Sequence, residues 1–263
     1  MRRALTAFTA LVLALSFVAI APPSPSRAAT SSTMAASLYG WINTDRAALG
    51  LQPLRADVQL QTLATDRAGN MARANTLSHT AAGGNIGTAL TNRAIQWYTY
   101  GEAIGFTTYP WGTEAAKNLY GLWKSSPTHW ALFMSPTFNY VGAGFVYLSS
   151  NGKTFASLVF SESLDHTRPV AKMRTGSRDG TTVQWTWSGH DPILQTHTAG
   201  FRDFDVQYRV DYGTWKTIRA DTTTTSLTLT GRPSGHYYGI RVQGRDWRGN
   251  LSAWSTELRV WVP

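Results

Sequence analysis

The sequence predicts an α+β domain followed by an all-β sandwich. Two observations carry this. From Met34 to about Trp130 apolar residues recur at helical spacing: Leu60, Leu63, Ala64, Ala68 and Met71 fall at i, i+3, i+4, i+8 and i+11. From about Pro169 onward the period drops to two: Phe204, Val206, Tyr208 and Val210 alternate with Asp205, Gln207 and Arg209. A half-buried strand requires that alternation, because successive side chains point to opposite faces of a sheet.

The elements follow in order. Residues 1–28 read as a cleaved secretory leader, with Arg2 and Arg3 before an apolar run from Ala4 to Ala21 and a small-x-small site at Ser26-Arg27-Ala28. Leu38, Trp41 and Ile42 mark a first helix that stops near Gly50, a left-handed cap residue. Asp57 caps the next helix and Thr113 caps a third, with Ala116, Leu119, Tyr120 and Trp123 inward. Two strands, 140–148 and 154–160, are joined through Asn151-Gly152, a tight-hairpin pair. This first domain spans 34–165. The second, 169–263, holds seven short strands at 169–174, 182–187, 204–210, 214–219, 226–230, 238–242 and 258–262, the count of a β-sandwich. Val183, Trp185 and Trp187 alternate inward there. The connector near 164–169 offers few apolar residues to tie the halves together.

Composition narrows the function classes. The chain has 263 residues and no cysteine, which excludes thiolate metal sites and cysteine nucleophiles. A disulfide-free exported protein must rest on burial, so each domain must exceed mini-protein size. Losing Arg2, Arg3 and Arg27 with the leader lowers the net charge from +9 to +6. The surplus lies after residue 166, where 13 basic residues face 8 acidic ones. A basic exported module suits anionic wall polymers or lipid head groups, although scattered charges equally make a solvated surface. No motif supports nucleic-acid binding, and no stretch after the leader is apolar enough to span a membrane.

Four blocks stand in order in the first domain: "LYGWINTDRAALGLQPLRADVQLQTLATDRAGNMA", "LSHT", "YGEAIG" and "LWKSSPTHWALFMSPTFNYVGAGFVY". Together they resemble the CAP superfamily of SCP-like extracellular domains, in its bacterial form, over residues 34–163. The second domain resembles a fibronectin type III domain through "VQWTW", "FDVQYR" and "YYGIRVQGRDWRGNLSAWS". The first resemblance implies an α-β-α sandwich whose cleft gathers two histidines and usually two acids. Matched residue by residue, it assigns His79, Glu102 and His129 to that cleft. Lys124, Ser125 and Ser126 follow Trp123 where many relatives carry the second acid, and Ala103 stands where many have asparagine. The set is therefore reduced to His-Glu-His.

Two imidazoles and a carboxylate are adequate ligands for zinc or a similar divalent ion. The same three groups also suit a hydrogen-bonded cluster without metal, or a cleft for a small apolar or glycan ligand. A hydrolase is the alternative: Glu102 as base to a metal-activated water with His129, or a serine such as Ser78 or Ser126 beside His79 or His129. No nucleophile elbow is present, and the residues read as a binding module rather than an enzyme. Trp97, Tyr98, Tyr100, Tyr109, Trp111 and Tyr120 lie near the cleft motifs and could line a groove for cell-wall polymer, lipid or glycan. His166, His190, His197 and His236 read as surface or turn residues without partners.

Overall fold

The computed structural model describes residues 27–263, so the leader expected over 1–28 lies, but for its last two residues, outside the described residues. The first half contains α1 (Arg27–Ala48), β1 (Arg55–Ala56), α2 (Val58–Ala74), α3 (Ile86–Asn92), β2 (Thr99–Thr107), α4 (Thr113–Lys124), α5 (Pro127–Phe133), β3 (Tyr140–Leu148) and β4 (Lys153–Glu162). Its sheet runs β1-β3-β4-β2, with only the β1–β3 pair parallel. Helices cover both faces. On one, α1, α4 and α5 close a core around Leu38, Ile42, Leu119, Trp123, Phe133 and Phe160. On the other, α2 and α3 pack Leu60, Leu63, Ala64 and Leu90 against Tyr140 and Val159. This is the expected α-β-α sandwich.

Local chemistry sets the boundaries. Asp57 caps α2, its carboxylate accepting from Leu60 N at 2.8 Å. Gly50, at φ +71°, ends the first helical segment with Leu51 N donating to Arg46 O. Pro127 opens α5 at its first turn. Gly142 and Gly144 have the tightest requirement: a Cβ on either would lie inside the backbone of α2, at Leu60–Gln61 and Ala64–Thr65. β2 and α3 were not legible in the hydrophobic period, since "TYGEAIGFT" mixes glycine with polar residues.

The second half contains β5 (Val170–Asp179), β6 (Thr182–His190), β7 (Phe201–Val210), β8 (Lys216–Thr222), β9 (Ser226–Leu229), β10 (His236–Asp246) and β11 (Leu258–Val262). They form a three-stranded sheet, β5-β6-β9, packed on a four-stranded one, β11-β10-β7-β8. That division of seven antiparallel strands is the fibronectin type III arrangement. Val183, Trp185 and Trp187 point into its core with Phe204, Val206, Tyr238 and Ile240. Several of the basic residues are used within the sheet. Arg209 pairs with Glu257 at 2.5 Å, and the indole of Trp215 lies between the Arg209 and Arg241 guanidiniums at 4.4 and 4.3 Å.

The halves meet through more than the connector. The ten-residue β6–β7 loop, 191–200, returns onto the first half, and Leu194 is buried with Leu60, Ile95 and Tyr140. Gln195 accepts from Gln52 N at 2.8 Å, and Asn139 donates to Ser163 O and Thr196 O. Three histidines expected to stand without partners take part in such contacts or pair with a carboxylate. His166 stacks on Tyr140 and bonds Asp57 at 2.8 Å; His197 stacks on Tyr98 and bonds Glu162 at 3.1 Å; His236 bonds Asp211 at 2.9 Å. Their partners come from remote strands and loops, which a one-dimensional pattern does not bring together.

Candidate functional site

Glu102 is the centre of the expected cleft. It sits on β2, the edge strand, with its side chain turned toward α2 and only 2% exposed. Arg67, on the buried face of α2, meets it in a two-pronged pair: Nε to Oε1 at 2.5 Å and Nη2 to Oε2 at 2.6 Å. Ser157 on β4 donates to Oε1 at 2.8 Å, and His79 Nδ1 donates to Oε2 at 2.7 Å. A carboxylate offers about four acceptor positions, and all four are taken. Burial pushes the Glu102 carboxyl up, but the hydrogen bonds and charge of Arg67, with His79 and Ser157, outweigh it and hold it below its ordinary range.

His79 lies in the loop after α2, and its side chain is 60% exposed. The loop is fastened by the same arginine, since Arg67 Nη2 also donates to Gly84 O at 3.0 Å, where Gly84 takes φ +76°. Asn70 Nδ2 holds Ala82 O at 3.0 Å, and Ser78 Oγ accepts from Ala81 N at 3.0 Å. With Nδ1 fixed on Glu102, His79 keeps its Nε2 for solvent or a ligand.

His129 comes from α5, on the opposite helical layer, and forms no hydrogen bond with Glu102. Its Nδ1 is buried and has no hydrogen-bond partner. Burial, and secondarily the charge of His79, push its pKa below the ordinary value. The structure thus joins His79 to Glu102 directly and brings His129 near only through the field of His79. The carboxylate that the sequence offered as a third metal ligand beside His79 and His129 is engaged by Arg67, so an ion held by all three would have to displace the guanidinium. Among the described residues the only trio of acidic or histidine side chains close enough to share an ion lies elsewhere, at Asp165, Asp191 and Asp246.

The neighbours of the site are equally specific. Lys124, where the second acid is missing, bonds Asp45 at 2.7 Å and lies over the Trp130 ring. Ala103 is buried in the core between β2 and the helices. Two residues before Glu102, on the same face of β2, Tyr100 meets Trp97 edge-on at 4.9 Å. With Asn85, Thr88, Thr91 and Asn92 they line an open groove of about 330 Å³. The remaining aromatics divide: Trp111 and Tyr120 pack on the core, while Tyr98 and Tyr109 are exposed. Arg67 and Ser157 were missed in the sequence. Arg67 had a signal, because it occupies the i+7 position of the α2 apolar series, where a leucine or alanine is expected.

Residues 39–160 match the model of the CAP, or cysteine-rich secretory protein, family. No curated protein matches the chain. Among solved structures, an extracellular SCP-domain protein from Bacillus anthracis is 21% identical with a TM-score of 0.45, over 54% of this chain and 45% of that one. An outer surface protein from Borrelia burgdorferi is 18% identical with a TM-score of 0.45, over 51% of this chain and 95% of that one. A Fn3-like protein from Clostridium thermocellum is 23% identical with a TM-score of 0.24, over 37% of this chain and 90% of that one. The chain therefore spans less than half of the Bacillus protein. The N-terminal half of this chain, over residues 39–160, is thus similar to the CAP family.

Proposed function

We propose that the chain is a secreted, non-enzymatic binding module whose CAP domain takes a glycan on the Trp97–Tyr100 groove. One observation carries this reading: all four acceptor positions of Glu102 are occupied, two of them by the Arg67 guanidinium. A general base needs a free lone pair and an ordinary or raised pKa, and Glu102 has neither. Ser78 is engaged with Ala81 N, and neither it nor Ser126 bonds a histidine, so neither serine is activated. An aromatic pair flanked by asparagine and threonine suits a sugar, whose faces are apolar and whose edges are hydroxyls. The leader-like start and the family's secretory character support export, and no helix among the described residues is long and apolar enough to cross a membrane.

The test is binding to insoluble cell-wall glycan and to soluble N-acetylglucosamine oligomers, followed by tryptophan fluorescence and co-sedimentation. Trp97→Ala and Tyr100→Ala should abolish binding with the fold intact. Unchanged binding in both variants would remove the groove from the reading. Release of reducing ends by the wild type, lost in Glu102→Gln, would establish the hydrolase instead. Zinc titration should give at most weak binding that His79→Ala or His129→Ala removes, since catalytic zinc sites normally have three protein ligands. Tight binding would show that Glu102 exchanges Arg67 for the ion.

A further inference from the structure

Three carboxylates converge where the two halves join, far in the sequence from the His79 cleft. Asp165 lies in the connector, Asp191 directly follows β6, and Asp246 ends β10. They are 3%, 8% and 0% exposed, and each presents an oxygen within 4.8 Å of the other two. Among the described residues none of them is in an ion pair with a lysine or arginine. Their hydrogen-bond donors are neutral. Asp165 accepts from Thr167 N and Ala199 N at 2.8 Å and from Tyr140 OH at 3.3 Å. Asp246 accepts from Arg248 N, Asn250 N and Asn250 Nδ2 at 2.7–2.9 Å. Asp191 Oδ2 accepts from Gly200 N at 2.7 Å, but its Oδ1 is buried with no partner.

A buried, unpartnered carboxylate oxygen facing two further buried carboxylates is an unbalanced arrangement. We infer that Asp165, Asp191 and Asp246 bind a hard divalent cation, calcium by preference, which clamps the connector to the sandwich. All-oxygen donors select hard ions, and three ligands from separate segments suit the irregular geometry that calcium tolerates and magnesium does not. The clamp would tie three pieces of chain: the connector, the 191–200 loop through Gly200 and Ala199, and the turn after β10, where Asn250 Nδ2 also reaches Asp165 O at 3.2 Å. The inference is independent of what the CAP domain binds.

The full chain, stripped with chelator and then dialysed free of it, is titrated with calcium chloride by calorimetry, and its thermal midpoint is followed. One ion per chain is expected, with a dissociation constant of about 10⁻⁴–10⁻³ M, as in extracellular calcium modules. The midpoint should rise by about 3–6 °C at ten times that concentration. Magnesium should do less. Asp191→Asn keeps an acceptor for Gly200 N but removes a charge, so in chelator it should be at least as stable as the wild type and no longer respond to calcium. The exposed Asp179→Asn is the control and should respond normally. The wild-type titration decides whether the site exists: no heat and no midpoint shift at millimolar calcium overturns the inference. A calcium response retained in Asp191→Asn overturns the location.

Discussion

Arg67 and Glu102 show how one residue pair turns a family site into something narrower. The pair is buried on both sides, so each charge depends on the other. Removing one partner from such a pair typically costs about 3–5 kcal/mol, because the remaining charge is left uncompensated. Arg67→Leu should therefore lower unfolding free energy by that order in urea denaturation. His79→Ala, at an exposed ring, should cost less than about 1 kcal/mol. Equal losses in the two variants would refute the division of roles. The pH dependence has a definite sign. The folded pKa of Glu102 lies below its unfolded value, so the contribution is complete above about 4.3 and is lost as pH falls through the folded value. The stability gap between wild type and Glu102→Gln should thus be wide near neutral pH and shrink as pH falls below the unfolded value of about 4.3. His129 was legible in the sequence through Pro127 and its block, and α5 does begin at that proline. Its orphaned Nδ1 was not, because burial of one ring atom depends on a helix crossing the edge of a sheet. NMR titration should find His129 deprotonating below the ordinary histidine value, and a value at or above it would mean the ring has a partner.

At the scale of elements, the helix seams were the readable part and the sheet edges were not. The period of α2 and its Asp57 cap follow from residues within one turn of each other. The seven strands of the sandwich follow from alternation, with boundaries that shift by a few residues. β2 escaped, since Gly101 and Gly105 replace the apolar residues that would mark its inner face. Those glycines leave room for Leu132, Phe138, Leu119 and Trp123 from the helices above. "VGAGF" in β3 reads as strand, but its two glycines serve contact with a helix backbone. This contrast is testable by one substitution at each kind of glycine. Gly144→Ala should prevent α2 from seating and unfold the domain. Gly40→Ala, in the exposed middle of α1 with nothing within 4 Å of its Cβ, should stabilise by about 0.5–1 kcal/mol. Thermal melts of both variants check it, and a tolerated Gly144→Ala would show that α2 and β3 can separate without loss.

Over the whole molecule, the two halves were visible as a change of period, while the way they hold together was not. The connector has few apolar residues, which suggested a loose joint. In the structure Ser163, Asp165 and Pro169 are buried along it, and the 191–200 loop from the second half supplies the missing apolar contact through Leu194. A protease needs several residues of extended, accessible chain, and the connector exposes only the side chains of Arg168 and of His166, which is itself held by Asp57 and Tyr140. Limited proteolysis of the wild type should therefore spare residues 164–169. Leu194→Ala removes a buried side chain shared between the halves and should cost about 2–5 kcal/mol at that joint. Because the cores on either side of the joint are separate, the loss should appear as local opening, not global unfolding. The variant should then release two resistant fragments on cleavage near the connector, while its far-UV spectrum stays that of the wild type. Rapid cleavage of the wild type at 164–169 would mean that Leu194 does not hold the joint closed.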